Sequence, residues 1–277
     1  MFDDRHPEAR IGAAIDGQGS AVVLLHSSMS SKAQWRPLTE RLRGSHRLIA
    51  VDLYGYGDTS WPRFDRPLTL ADEALLVRTI LARELQAGER FHLVGHSYGG
   101  VVALHLAQTM PQQLHSLCLF EPGAFHLLSP GDPLGAEINE VRDRVAGALA
   151  RGSAADATRY FIDYWNGAGS FARIPQARQQ ALARLVPKSL LDFGAVAAET
   201  QLAGDYRRIL APACVLLGST SPQAAQRASD IVVDRLPRAS RHRVAGGHMA
   251  PVTDPELVNP IIEGFIRSVD EGEPRWA

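Results

Sequence analysis

The sequence predicts an α/β fold: a mainly parallel central sheet with helices on both faces. Three observations predict it. Short, continuously apolar runs such as AVVLLH at 21–26 and HRLIAVDL at 46–53 have the look of strands buried on both sides. These runs alternate with segments whose apolar residues recur at helical spacing, as parallel strand–helix–strand units require. A Gly-x-Ser-x-Gly element, Gly95-His96-Ser97-Tyr98-Gly99, joins one such run to one such helix within FHLVGHSYGGVVALHLAQ at 91–108. In sheets of this kind, function collects at the carboxyl ends of the strands.

Residues 8–16 read as a first short strand or hairpin, followed by the turn signal Asp16-Gly17-Gln18-Gly19. The run at 21–26 leads into a small polar loop, Ser27 to Ser31, and a helix over 33–42 with Trp35, Leu38 and Leu42 on one stripe. The run at 46–53 exits through a glycine- and aromatic-rich loop, Tyr54 to Ser60. A helix over 70–85 carries Leu70, Ala74, Val77, Leu81 and Leu85, with Thr69 as its cap three residues before Asp72. After the element at 91–108, LHSLCLF at 114–120 is another strand, stopped by Glu121-Pro122-Gly123. Strand-like runs then cease from about 126 to 206, and helices are expected near 134–149, through Tyr160 to Trp165, at 176–186 and at 190–202. Strand–helix alternation resumes with strands at 213–217 and 240–245 and helices near 222–236 and 255–268. The expected organisation is a core over 1–125 and 207–277, interrupted by a helical cap over 126–206.

A serine between a strand end and a helix start sits on a tight, strained turn that pushes its hydroxyl out above the sheet. A plain βα turn would have the same glycines; the preceding apolar strand and the helix behind favour a nucleophile. A serine hydroxyl needs a base, and the base needs a group to orient it. His248, in a Gly-Gly-His loop after the last strand, is the expected base among ten histidines. His96 is expected to point into the fold, and His26 to fix its own loop. For the acid, the loop Gly218-Ser219-Thr220-Ser221 offers no carboxylate, whereas Glu121 follows a strand end directly. Glu121 is the preferred acid, with Asp205, Asp230 or no acid as alternatives. The backbone N–H groups of Ser28 and Tyr98 are the expected oxyanion donors. Phe161, Tyr164, Trp165, Phe171 and Phe193 are candidates to line an apolar pocket, or equally to form the core of the cap.

Composition excludes several classes. Hydrophobic residues make up 45% and charged residues 21% of the 277, and the formal net charge is −1. The arginines are dispersed, so no nucleic-acid surface is expected. No run is long enough to span a bilayer, and the N-terminal residues show no signal pattern, so a cytoplasmic location is expected. Cys118 and Cys214 lie inside apolar runs and read as buried thiols; no His or Cys spacing suggests a structural zinc. Gly55-x-Gly57 lacks a third glycine and opens no helix, which argues against dinucleotide binding; Asp52 is expected to tie loops together.

The stretches VVLLHSSMSS, VDLYGYGDTS, HLVGHSYGG and GGHMAPVTDPE, with the strand near 213–217, resemble the α/β-hydrolase fold superfamily. The resemblance implies a Ser–acid–His enzyme with a helical cap and no cofactor. This chain departs from it twice: His26-Ser27 stands where His-Gly is usual, and Ser219-Thr220-Ser221 where an aspartate is common. Some relatives carry the acid one strand earlier, where Glu121 stands. Dehalogenases and epoxide hydrolases of the same fold use an aspartate nucleophile, which Ser97 argues against. The expected function is a serine hydrolase acting on a small or medium carboxylic ester or related acyl compound. Acyl transfer, a lyase-type C–C cleavage and a non-enzymatic small-molecule receptor are the alternatives; oligomeric state is not readable.

Overall fold

The computed structural model describes residues 10–129 and 131–272. Within them, seven strands form one sheet: β1 (Ala13–Gly17), β2 (Ser20–Leu25), β3 (His46–Val51), β4 (Phe91–His96), β5 (Leu114–Phe120), β6 (Ala213–Gly218) and β7 (Ala239–Val244). Their order is β1-β3-β2-β4-β5-β6-β7. Only β1 runs antiparallel, against β3; every other neighbouring pair is parallel. The expected first strand therefore starts at Ala13, with residues 8 and 9 outside the described range. It makes no hairpin with β2, because β3 lies between them.

The period-two alternation of each strand divides the core into two layers. Val22 and Leu24 of β2 face the same layer as Leu48, Ala50, Val94, Phe120 and Leu216. Against that layer pack α1 (Arg36–Leu42), through Leu38 and Leu42, the short α9 (Ala250–Thr253), through Ala250, and α10 (Pro255–Asp270), through Val258, Ile262, Phe265 and Ile266. Ala21, Val23 and Leu25 face the other layer, with Ile49, Val51, Leu93, Leu119 and Val215. It is covered by α2 (Leu70–Glu84), α3 (Tyr98–Thr109) and α8 (Gln223–Val233). Burying each Leu or Val contributes about 1.5–3 kcal/mol, which is why β2 and β6, inside the sheet, are almost wholly apolar, whereas the edge strand β7 carries Ser240, Arg241, His242 and Arg243. Cys118 and Cys214 sit opposite each other on β5 and β6 as buried free thiols.

Between β5 and β6 the chain makes α4 (Pro133–Ala150), α5 (Ala154–Asn166), α6 (Ser170–Arg173) and α7 (Gln176–Ala197). Two helices were expected at 176–186 and 190–202; one helix runs through Pro187 and ends at Ala197. Proline removes one helical N–H and usually kinks or stops a helix. Here the turn is held by burial and by a hydrogen bond within the helix. Val186, Lys188 and Ser189 are all buried, and the Ser189 hydroxyl donates to the Val186 carbonyl at 2.7 Å.

The last helix is pinned at its end. His46 and His92, at the amino ends of β3 and β4, hydrogen-bond through Nε2 to the two Asp270 oxygens at 2.9 and 3.0 Å. Burial opposes ionisation of Asp270, but these two partners hold its carboxyl at about 2. The grouping joins residues far apart in sequence, which no spacing rule detects. No helix of the described residues is long and apolar enough to cross a membrane.

Thr69 caps α2 as its sequence spacing predicts: its side chain accepts from the Asp72 N–H while Asp72 accepts from the Thr69 N–H. Thr69→Ala is expected to cost about 1 kcal/mol, read as a lower urea midpoint with an unchanged m-value.

Candidate active site

Ser97 is the single residue between β4 and α3, and its backbone has φ 52° and ψ −115°. A non-glycine residue there is strained by about 1–3 kcal/mol and must be held by its surroundings. Its N–H donates to the Phe120 carbonyl at 3.0 Å, and its carbonyl accepts from the N–H groups of Gly100, Val101 and Gly123. The flanking glycines permit the close approach. A Cβ on Gly99 would lie 2.4 Å from the His26 carbonyl oxygen, and one on Gly95 2.6 Å from that of Gly99.

His248, in the loop after β7, has Nε2 2.9 Å from Ser97 Oγ and Nδ1 2.6 Å from Glu121 Oε2. The second Glu121 oxygen accepts from the Gly218 N–H at 2.7 Å. The carboxylate-free loop after β6 thus supplies a donor to an acid carried by the neighbouring strand. Glu121 itself is left-handed, with φ 40°, and its N–H donates to Leu216 at 3.0 Å. All three side chains are shielded from solvent: Ser97 is 8% exposed, Glu121 0% and His248 2%. The other candidate acids are engaged elsewhere. Asp205 accepts from the Leu202 N–H, and Asp230 pairs with Arg241 at 3.3 Å.

Two further histidines brace this arrangement from inside. His96 donates from Nε2 to the His248 carbonyl at 2.8 Å and accepts at Nδ1 from the Gln34 amide at 3.1 Å. The Gln34 carbonyl oxygen accepts from both the N–H and the hydroxyl of Ser27, so the serine at the usual glycine position is tied to His96. Burial and the nearby His248 keep His96 well below its ordinary pKa, hence neutral. His26 donates from Nδ1 to the Ser27 carbonyl at 2.7 Å and accepts at Nε2 from the Leu53 N–H at 3.0 Å. Asp52 ties loops in the same way, accepting from the N–H groups of Lys32 and Asp58.

A pocket opens over Ser97, lined by Ser28, Tyr98, Phe125, Trp165, Phe193 and Met249 among others. It is narrow: the centre of a water-sized sphere can occupy about 40 Å³ of it. Phe161 also lines it. Tyr164 and Phe171 do not; Tyr164 donates to Glu137 at 2.6 Å, and Phe171 is buried within the helical segment. The Trp165 ring lies 4.3 Å from the His248 ring, centroid to centroid, and screens it from solvent. Neither the Ser28 nor the Tyr98 N–H donates to another group among the described residues.

Residues 22–261 match the model of the alpha/beta hydrolase family. The chain belongs to that family. A putative carbamate hydrolase, RutD, of Pantoea ananatis is 26% identical, the match covering 91% of this chain and 90% of the relative. A pimeloyl-[acyl-carrier protein] methyl ester esterase of Aliivibrio salmonicida is 35% identical over 37% of this chain and 36% of its own length. Several curated relatives match over only about a quarter to a third of their length. Among solved structures, a hydrolase from Pseudomonas aeruginosa superposes with a TM-score of 0.77 at 23% identity, covering 93% of this chain and 94% of that one.

Within this family member, one part of the pocket wall has no apolar character, and sequence reasoning missed it. Asp192 of α7 reaches the pocket, and its Oδ2 accepts from the Ser28 and Tyr56 hydroxyls, both at 2.6 Å. Lys188, one turn earlier, pairs with Asp192 and with Glu73 of α2, the latter at 3.0 Å. The i, i+4 spacing of Lys188 and Asp192 was legible but reads first as an exposed helix-face pair.

Burial pushes the His26 pKa down to about 4. The unfolded chain titrates this group near 6.5. Between those values the unfolded state binds more protons, so stability falls as pH is lowered through the window. The melting temperature is expected to drop between pH 6.5 and 4, and less steeply in His26→Asn. Equal slopes in the two proteins would refute this assignment.

Proposed function

We propose that this protein is a serine hydrolase that cleaves a small or medium carboxylic ester through an acyl-enzyme on Ser97. The observation that carries this is the unbroken line from Ser97 Oγ through His248 to Glu121, buried at the carboxyl ends of β4, β5 and β7. In the first step Ser97 Oγ attacks the ester carbonyl as its proton passes to His248 Nε2. Glu121, accepting from Nδ1–H, holds the ring in the tautomer that leaves Nε2 free to take the proton, and stabilises the resulting imidazolium. The oxyanion forms against the N–H groups of Ser28 and Tyr98, which donate to nothing else among the described residues. Collapse expels the alcohol, which takes the proton from His248. A water molecule, deprotonated by the same nitrogen, then attacks the acyl-enzyme and releases the acid and the free serine.

The pocket wall supports an apolar acyl or alcohol group. Phe125, Phe161, Trp165, Phe193, Val196 and Met249 supply its apolar lining. The ester-cleaving relative is consistent with carbonyl chemistry, as is the carbamate hydrolase.

A fluorophosphonate probe is expected to label the protein, and Ser97→Ala to abolish both labelling and turnover of p-nitrophenyl acetate. Labelling that survives Ser97→Ala would sink the reading. Glu121→Gln, which leaves His248 without its anionic partner, is expected to lower kcat by about 10³–10⁴ with KM little changed.

A further inference from the structure

The pocket's polar wall is one corner of a buried network that joins α7 to both residues proposed to hold the oxyanion. Asp192 Oδ1 takes the Lys188 ammonium, and Oδ2 accepts from the Ser28 hydroxyl at 2.6 Å. Glu73 Oε1 takes the same ammonium at 3.0 Å and accepts from the Tyr98 hydroxyl at 3.1 Å. Glu73 Oε2 accepts from the Tyr54 N–H, so every oxygen of both carboxylates is engaged. Lys188 and Glu73 are 0% exposed, and Asp192 is 3% exposed. The ammonium also lies 4.9 Å from the Tyr56 ring centroid and 5.0 Å from that of Tyr98.

We propose that Lys188 is a positioning residue for the oxyanion hole: one buried cation holds in place the two carboxylates that grip Ser28 and Tyr98. The inference rests on the reading of those two residues as oxyanion donors. Two carboxylates this deeply buried do not stay ionised side by side without a counter-charge. Without Lys188, one of them takes up a proton, and its hydrogen bond to the Ser28 or Tyr98 hydroxyl falls from charge-assisted to neutral, with roughly half the strength and a looser grip. Ser28 and Tyr98 lie on different elements, the loop after β2 and the start of α3, so a shared partner fixes the spacing between their N–H groups. Oxyanion stabilisation depends on that spacing being set before the reaction starts. Because Lys188 and Asp192 lie on α7, that helix completes the hole only when docked on the core.

The test compares Lys188→Met with the unmutated protein, using p-nitrophenyl acetate turnover and inhibition by an aryl trifluoromethyl ketone, which mimics the tetrahedral intermediate. The expected result is a kcat lowered about 10–100-fold, less than outright loss of a donor, with KM within about threefold and ketone inhibition weakened in parallel. A simple structural staple would lower the melting temperature and leave the folded variant's kcat and ketone affinity intact; that outcome overturns the proposal. Should Lys188→Met fail to fold, the double variant Ser28→Ala/Tyr98→Phe removes both anchors while keeping both backbone N–H groups. It is expected to show the same paired loss of kcat and ketone affinity, and wild-type values for both would overturn the proposal. Absence of Ser97-dependent turnover in the unmutated protein overturns the functional reading and this inference together. Turnover that requires Ser97 but ignores these substitutions overturns this inference alone.

Discussion

The steric constraint at Ser97 organises the rest of the molecule. A left-handed serine between β4 and α3 is stable only if its backbone groups are satisfied and its neighbours come close. The Ser97 carbonyl meets this by accepting three N–H groups, two from α3 and one from Gly123 beyond β5. That last bond binds the elbow to the loop that carries Glu121. The left-handed backbone at Glu121 is held in turn by a hydrogen bond to the Leu216 carbonyl on β6. Two strained residues thus sit at adjacent strand ends, and the ladder of parallel strands beneath them keeps the strain in place.

Burial of charge is the second theme, and it is costly. Glu121, Glu73, Lys188 and Asp192 are all shielded from water, and a buried ion left without partners would cost several kcal/mol. Each is therefore fully partnered: Glu121 by His248 and the Gly218 N–H, the other three by one another and by hydroxyl donors. The neutral histidines do the opposite work. His26 and His96 are used as fixed donor–acceptor pairs, their tautomers set by a carbonyl on one nitrogen and an N–H donor on the other. They brace loops without adding charge next to His248. In the proposed reaction, the same low-dielectric surroundings that make these groups expensive to bury would strengthen each hydrogen bond to the oxyanion.

Local patterns were legible where local physics decides. The fully apolar strands, the Thr69–Asp72 cap and the glycines around Ser97 each follow from short-range sterics or from burial on two faces. The α/β class with a mainly parallel sheet followed from such patterns, the α/β-hydrolase fold was implied by the resemblance of the longer motifs, and the family match bears it out. One helix replaces the two expected at 176–186 and 190–202, because the buried turn around Lys188 and Ser189 carries α7 past Pro187. Of the two readings of the first segment, a strand is the one found, and local sequence could not tell that β3 inserts between β1 and β2.

The sequence by itself determined which residue sits on the strained turn, which strand ends carry polar loops, and that the loop after β6 lacks a carboxylate. Those are properties of neighbours along the chain. Only the tertiary structure decided that Glu121, 127 residues from His248, lies 2.6 Å from its ring, that Trp165 covers that ring, and that Tyr164 and Phe171 turn away from the pocket. It alone showed Lys188 buried between Glu73 and Asp192, at sequence separations of 115 and 4. A lysine four residues before an aspartate on a helix has the same local pattern in water or in a core. Which of the two it occupies depends on what the rest of the chain lays against it.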